Sequence, residues 1–455
     1  MLPLRGQAQD ATTAGGSALR FTVGTELRVD DNLGLDVDSA GTSTIWDTDL
    51  GFGYSIETAL SKLTFSGSGV IRQADLPGDA SDNGFQDPRL AFGYDRAGAT
   101  SRFSVDASWR QTDLRYLDPL ADPIVIEDEA TGEQGLRQIT GTRERLTFGT
   151  QIEFGVGTPM GMTLGASRRE TSYQDTNRTS YYDNHTDAAF ARLRMDLTPV
   201  TSATVDAQAS RYEAENLSRT VRDSTALSFG LGTALDKATT LSGRIGYRMI
   251  DSTRTLDGER ETTTTDGVTL GAGVRRELRA GSVGADYSRS VATSGTRDTL
   301  RFDRQFELYN GRFGISLGTT KGENGDPGLV ANVDWTHELK RGAIDLALDR
   351  SSRTDDNNQD VLVTQGSLNW RHDLNEANSV SLGASLASIQ RDDNSGDGRD
   401  ITRASLRMAW NREIVRDVDM SLGYVHRFLD DSDASDTADS NSVYLSLGKT
   451  FDLRP

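Results

Sequence analysis

Residues Ser442-Val443-Tyr444-Leu445-Ser446-Leu447-Gly448-Lys449-Thr450-Phe451-Asp452-Leu453 alternate almost without a break. Val443, Leu445, Leu447 and Phe451 fall on one face, and Ser442, Tyr444, Ser446 and Thr450 on the other. A period of two belongs to a β-strand, whose successive side chains point to opposite sides. One face suits hydrocarbon and the other suits water. A strand that crosses a bilayer within a closed sheet needs both.

The same alternation fills the chain from Ser17 onward. The first strand sets Leu19, Phe21, Val23, Leu27 and Val29 against Arg20, Thr22, Gly24, Glu26 and Arg28. The next sets Leu50, Phe52, Tyr54 and Ile56 against Asp47, Asp49, Gly51 and Ser55. Short turns are expected near Thr58, Thr100, Pro159, Pro199, Asp236, Gly281, Gly311, Gly342, Asn375 and Asp417. Between them lie longer connections rich in Asp, Asn, Gly and Ser: 30–43, 73–87, 112–137, 251–265, 390–400 and 429–440. Short turns on one side and long loops on the other give an all-β, closed antiparallel transmembrane β-barrel. The expected number of strands is about 22, within a range of about 20 to 24. Residues 17–453 form this barrel. Only about 16 residues precede it, so no plug domain of the kind that fills large uptake barrels is expected.

A weak repeat supports the meander. Trp335, Trp370 and Trp410 each stand shortly before a short turn, separated by 35 and 40 residues. On the apolar face, such rings favour the boundary between hydrocarbon and headgroups. The competing architecture is a soluble β-propeller, which also repeats near 40 residues. It packs both faces of its strands, whereas one face here is charged strand after strand.

Composition agrees. Apolar residues make up 35% of the 455, with 46 glycines, 9 prolines and no cysteine. No apolar run approaches the roughly 20 residues of a transmembrane helix. The absence of cysteine removes disulfides and thiolate-ligated metals. A net charge of −19 disfavours a nucleic-acid partner.

Within the last strand, Ser446 to Leu453 reads polar, any, glycine, any, any, aromatic, any, apolar. This resembles the C-terminal β-signal of bacterial outer-membrane barrels, with Gly448, Phe451 and Leu453 in the characteristic places. That signal usually ends the chain, whereas Arg454 and Pro455 follow here. The whole, over roughly residues 17–453, resembles Gram-negative outer-membrane porin-like barrels. Asp31-Asn32-Leu33 after the first strand is similar to the β-barrel porins associated with surface-polysaccharide genes. The resemblance implies a bacterial outer-membrane location. It also implies contact with membrane lipid and lipopolysaccharide, and handling by the barrel-insertion machinery. Polysaccharide or small polar solutes are the cargo classes it brings to mind, and no cofactor is implied.

Residues 1–16 form an N-terminal tail. Gly6-Gln7-Ala8 has the small-any-small form of a signal-peptidase site, so 1–8 is read either as a leader remnant or as an ordinary tail.

The inward face carries the candidate chemistry. Arg20, Arg28, Arg102, Arg110 and Arg145 are its selectivity candidates. Rings of charge in a wet lumen set ion preference, while ordinary cross-strand ion pairs are the plainer role for most of them. The longest loop, Asp113 to Arg137, carries Asp118, Asp122, Glu127, Asp128 and Glu129. In general porins, the loop at this place in the strand order folds inward and faces wall arginines. Its sequence motif is absent here, so an exterior lid is the equal alternative. The four histidines lack metal-ligand spacing, and no catalytic constellation or metal site is expected. Two functions follow: an outer-membrane channel for polar solutes or polysaccharide, or a non-transporting surface or receptor protein with a filled lumen.

Overall fold

Every strand that alternates must satisfy its backbone donors and acceptors on both edges. In hydrocarbon, an unpaired edge costs several kcal/mol per group, so the sheet closes. The computed structural model shows that closure. It describes residues 16–453, apart from 79, 122–135, 137, 177–180, 257, 324, 355–359, 392–399 and 432–435. The expected tail and leader remnant, 1–8, lie outside the described residues.

Twenty-two antiparallel strands form one sheet. They are β1 (Gly16–Asp30), β2 (Ser43–Glu57), β3 (Ser61–Leu76), β4 (Ala80–Ala97), β5 (Ser101–Asp113), β6 (Thr142–Phe154), β7 (Met160–Gln174), β8 (Asn184–Thr198), β9 (Thr201–Ala214), β10 (Thr220–Ala234) and β11 (Thr239–Leu256). The second half comprises β12 (Glu259–Leu278), β13 (Gly281–Ala292), β14 (Gly295–Leu308), β15 (Gly311–Gly322), β16 (Gly328–Leu339), β17 (Gly342–Thr354), β18 (Asp360–Asp373), β19 (Asn378–Arg391), β20 (Ile401–Val415), β21 (Val418–Asp431) and β22 (Asp436–Leu453). Each pairs with its sequence neighbours, and β22 returns to β1. A propeller is excluded.

The seam joins like to like: Phe21 opposes Phe451, Thr22 opposes Thr450, Gly24 opposes Gly448 and Leu27 opposes Leu445. The three β-signal residues therefore sit in the closing ladder, with Leu453 opposite Leu19. Outside, the apolar residues of alternate positions stay exposed, among them Phe21, Val23, Leu227, Phe229, Ile245 and Phe302. A contiguous apolar outer surface of this kind is stable only against lipid. Trp335 stacks on His337 at 5.9 Å and Trp370 on His372 at 6.0 Å, all on this outer face near the short turns. They form one arc of an aromatic girdle.

All ten short turns lie where expected. Three share one design, in which two residues are followed by a glycine that opens the next strand: Gly281, Gly311 and Gly342. A Cβ on Gly342 would lie 1.9 Å from the Arg371 carbonyl oxygen, and its φ is +138°. The Asn310-Gly311 pair thus marks the turn but straddles its end, because Tyr309 and Asn310 are the turn residues.

The long-loop rim differs from expectation. Most of 73–87, 251–265 and 429–440 is strand, for β3 runs to Leu76, β11 to Leu256 and β21 to Asp431. Above the bilayer a strand needs no apolar face, so its alternation fades while its ladder continues. Polar composition was read as loop for that reason.

Candidate functional site

Two connections at the long-loop rim fold inward. The first joins β1 to β2 and carries Asp31-Asn32-Leu33, where Asn32, Leu33 and Leu35 are buried. Asn32 closes the segment on itself: its Nδ2 donates to the Asp36 and Asp439 carbonyls, and its Oδ1 accepts from the Asp36 N–H. Beneath it, Arg427 of β21 donates to Asp30 Oδ2 at 2.7 Å and to Ser440 Oγ at 2.9 Å. The Ser440 hydroxyl donates to the other Asp30 oxygen at 2.8 Å. The buried charge is thus compensated by an opposite charge and by hydrogen bonds, as burial requires.

The second connection joins β5 to β6 and reaches much farther. Leu136, fully buried, packs with Val361, Val363, Ala387, Ile389 and Ile401. Those residues belong to β18, β19 and β20. β18 stands twelve strands beyond β6 in a ring of 22, on the opposite wall. The connection therefore crosses the mouth. Leu120, in the short 3-10 turn Pro119–Ala121, packs against the same cluster. Arg403 of β20, itself 0% exposed, donates to the Leu136 carbonyl at 2.9 Å and to Gln138 Oε1 at 3.0 Å. Gln138 in turn reaches the Leu114, Arg115 and Leu117 carbonyls through Nε2. One arginine and one glutamine thus tie the crossing segment to the far wall and to its own stem.

A third cluster links the two connections. Tyr116 packs against Leu33, Ile45 and Ala74. The Arg72 guanidinium stacks 3.8 Å from the Tyr116 ring centroid and pairs with Asp47 and Asp87. A β-bulge between β3 and β4 aims Asp87 here, with φ at +51°. Asp87 also accepts the Asp113 N–H at 2.7 Å. Strand β5 needs only about ten residues to cross the hydrocarbon, so Asp113 lies above it. Burial pushes its carboxyl up to about 6, against the pull of the Arg115 N–H and of Arg72. Burial likewise raises the Tyr116 hydroxyl above its usual range.

The sequence candidates fare unevenly. Arg20 is at the opposite rim, paired with Asp452 across the seam at 2.6 Å. Arg102 is near that same rim, in register with Glu153. Arg28 places a like charge beside Arg427. Arg110 and Arg145 are register partners, and Arg89 flanks Arg110 on the other side. A row of three arginines thus runs along the lumen face of β4, β5 and β6. Of the loop carboxylates, Asp118 faces the wall arginine Arg403 at 3.8 Å, which is not one of the five selectivity candidates. Asp122, Glu127, Asp128 and Glu129 lie outside the described residues. Elsewhere, inward charges pair structurally, as in Arg194 with Asp196 at 2.5 Å and Arg371 with Asp373 at 2.7 Å. Among the described residues, no group of three or more His, Asp or Glu could hold a metal ion.

Arg403 and Arg427 read in the sequence only as two of many inward arginines, and Leu136 and Gln138 were not singled out. Their signal was faint: apolar Val361, Val363, Ile389 and Ile401 stand on the lumen-facing register, where polar residues are the rule.

No protein-family model matches the chain, and no curated protein does. Solved structures do resemble it. The siderophore receptor PirA from Acinetobacter baumannii aligns with a TM-score of 0.57 at 8% identity, over 97% of this chain and 81% of that one. The FrpB iron transporter from Neisseria meningitidis (F5-1 variant) gives 0.57 at 10% identity, over 96% and 82%. The ferric-catecholate import receptor Fiu from E. coli K12, in its open form, gives 0.56 at 11%, over 96% and 81%. The chain shares their barrel fold.

Proposed function

We propose that this barrel sits in the outer membrane of a Gram-negative bacterium and passes polar solutes through a mouth narrowed by its own loops. The short-turn rim then faces the periplasm and the long-loop rim the exterior. The observation that carries the reading is the Leu136 segment held across the mouth by Arg403. A strand connection that buries apolar side chains on the opposite wall leaves the passage beside it, along the arginine row of Arg89, Arg110 and Arg145. Positive charge on that wall favours anionic or sugar-like solutes. This reading takes the barrel to have no plug domain and no catalytic step.

A second reading has a specific observation behind it. The solved structures that share the fold are siderophore and iron receptors or transporters by their descriptions, and apolar clusters around Leu136, around Leu33 with Tyr116, and around Leu114 with Tyr181 pack at this mouth. In that reading the loops are a binding surface and the lumen stays closed. Planar-bilayer recordings separate the two. Steady ohmic steps from folded protein support the conduit. A silent bilayer, with heat-modifiable and therefore folded protein, supports the receptor and overturns the conduit.

A further inference from the structure

On the lipid-facing side, small and large residues alternate across β17 to β21. Leu348, Gly366, Leu386, Ala404 and Phe428 follow one another along a single register row. Where glycine and alanine stand between leucines and a phenylalanine, the surface sinks. The result is an apolar groove of about 570 Å³ that also takes in Ala384 and Leu406. A groove facing hydrocarbon is filled by hydrocarbon, because an apolar void forfeits dispersion contacts on one side.

The head of the groove is what distinguishes it. Two residues above Leu348, Arg350 points outward on the same face, toward the long-loop rim. Its guanidinium donates to Thr364 Oγ1 at 2.8 Å and to Gln390 Oε1 at 2.9 Å, both neutral acceptors. Three other outward arginines toward this rim are held by carboxylates. Arg168 is held by Glu170 and Asp187, Arg211 by Glu213 and Arg289 by Asp298. Among the described residues, Arg350 is instead held by neutral partners alone, with further N–H donors available. A planar guanidinium held in this way suits a phosphate oxygen pair.

We propose that this groove and Arg350 form a binding site for the phosphorylated glycolipid of the outer leaflet. One acyl chain would lie along Gly366 and Ala404, and a headgroup phosphate would lie on Arg350. The site rests on the outer-membrane placement argued above, since the long-loop rim must face the leaflet that carries that lipid.

The test uses the full chain refolded in detergent micelles, with native mass spectrometry as the readout. The probes are bisphosphorylated lipid A, its dephosphorylated form and phosphatidylglycerol. The expected result is one lipid A per barrel, held at least tenfold more tightly than the dephosphorylated form or phosphatidylglycerol. Arg350→Gln should lose that preference. The double change Ala384→Phe with Ala404→Phe, which fills the groove, should lose binding itself. Arg168→Gln, at a neutralised position, should change neither. Equal binding in wild type, Arg350→Gln and the filled variant would overturn the site, as would phosphatidylglycerol binding as well as lipid A. A second copy of the chain in place of lipid would overturn it too. Heat-modifiable mobility checks folding in each variant. Failure to fold in detergent at all would sink the membrane placement instead, so the two failures are distinguishable.

Discussion

Arg403 donates a hydrogen bond to the carbonyl of Leu136, a residue 267 positions earlier in the chain and rooted on the other side of the barrel. The bond is buried, and its donor is a charge. Removing the arginine leaves the buried Leu136 carbonyl, the half-buried Gln138 Oε1 and Asp118 without it. Unsatisfied buried groups cost about 1–3 kcal/mol each, and more when charged. The crossing segment should therefore swing out to be solvated. Arg403→Gln should raise single-channel conductance about twofold or more while the barrel remains heat-modifiable. Unchanged conductance in a folded variant would mean that the segment does not restrict the passage.

Asp113 gives the mouth a pH dependence of definite sign. Its carboxyl is raised to about 6 by burial, so the folded state favours the protonated form. Its contribution to stability is then full below the ordinary carboxylate range and is lost as pH rises through about 6. Facing it are Arg72 on β3, Asp82 and Asp87 on β4, and the backbone N–H of Arg115. Asp113→Asn keeps an acceptor for that N–H and removes the titration. The expected result is a wild-type unfolding temperature that falls between pH 4.5 and 7 more steeply than that of the variant. Parallel curves would show that Asp113 is not the group responsible.

Much of the fold was readable because a barrel writes itself in the period of its side chains. Phe21, Leu50 and Leu445 announce lipid, and Arg20 and Ser446 announce the lumen. The turn residues Asp236 and Asn375 are legible because each accepts the N–H groups two and three residues on, an arrangement local in sequence. The mouth was less readable. Arg403 appears in the sequence as one more inward arginine among many, since its partner is defined only when opposite walls of the ring are brought together. Asp30 and Arg427, nearly 400 residues apart, present the same problem. Asp31-Asn32-Leu33 stood out for its resemblance, and the structure gives it a job: it seals the first loop over that ion pair.

Gly342 tests the turn design. An added Cβ meets the Arg371 carbonyl at 1.9 Å, and the backbone is in a region that side chains rarely adopt. Gly342→Ala should cost about 2 kcal/mol, from strain of the kind that left-handed backbone imposes. Gly53→Ala is the matched control, because nothing lies within 4 Å of its added Cβ. It should change stability by about 0.5 kcal/mol or less. Urea titration of the refolded barrel measures both, and similar midpoints for the two variants would refute the clash.

The seam separates assembly from stability. Phe451 opposes Phe21 on the lipid face, whereas Arg20 and Asp452 pair on an exposed lumen edge. Exposed ion pairs contribute about 0–1 kcal/mol, so Arg20→Ala should barely move the unfolding midpoint. Phe451→Ala removes an aromatic residue from the closing register pair, which is also the aromatic of the β-signal. Its yield of membrane-inserted barrel in cells should drop severalfold, with refolding in detergent less affected. Normal insertion would detach the resemblance of Ser446–Leu453 from any role in recognition.

The arginine row bears on selectivity. Arg110 stands in register between Arg89 and Arg145, three positive charges on neighbouring strands. Charge lining a wet lumen sets ion preference. Under a salt gradient, the wild-type barrel should therefore show a reversal potential on the anion-preferring side. Arg110→Ser should move it toward zero. Arg20→Ser, at the far rim beside Asp452, should leave it in place. If Arg110→Ser lowers the unfolding midpoint and leaves the reversal potential where it was, the row is structural, and selectivity must come from the crossing segment alone.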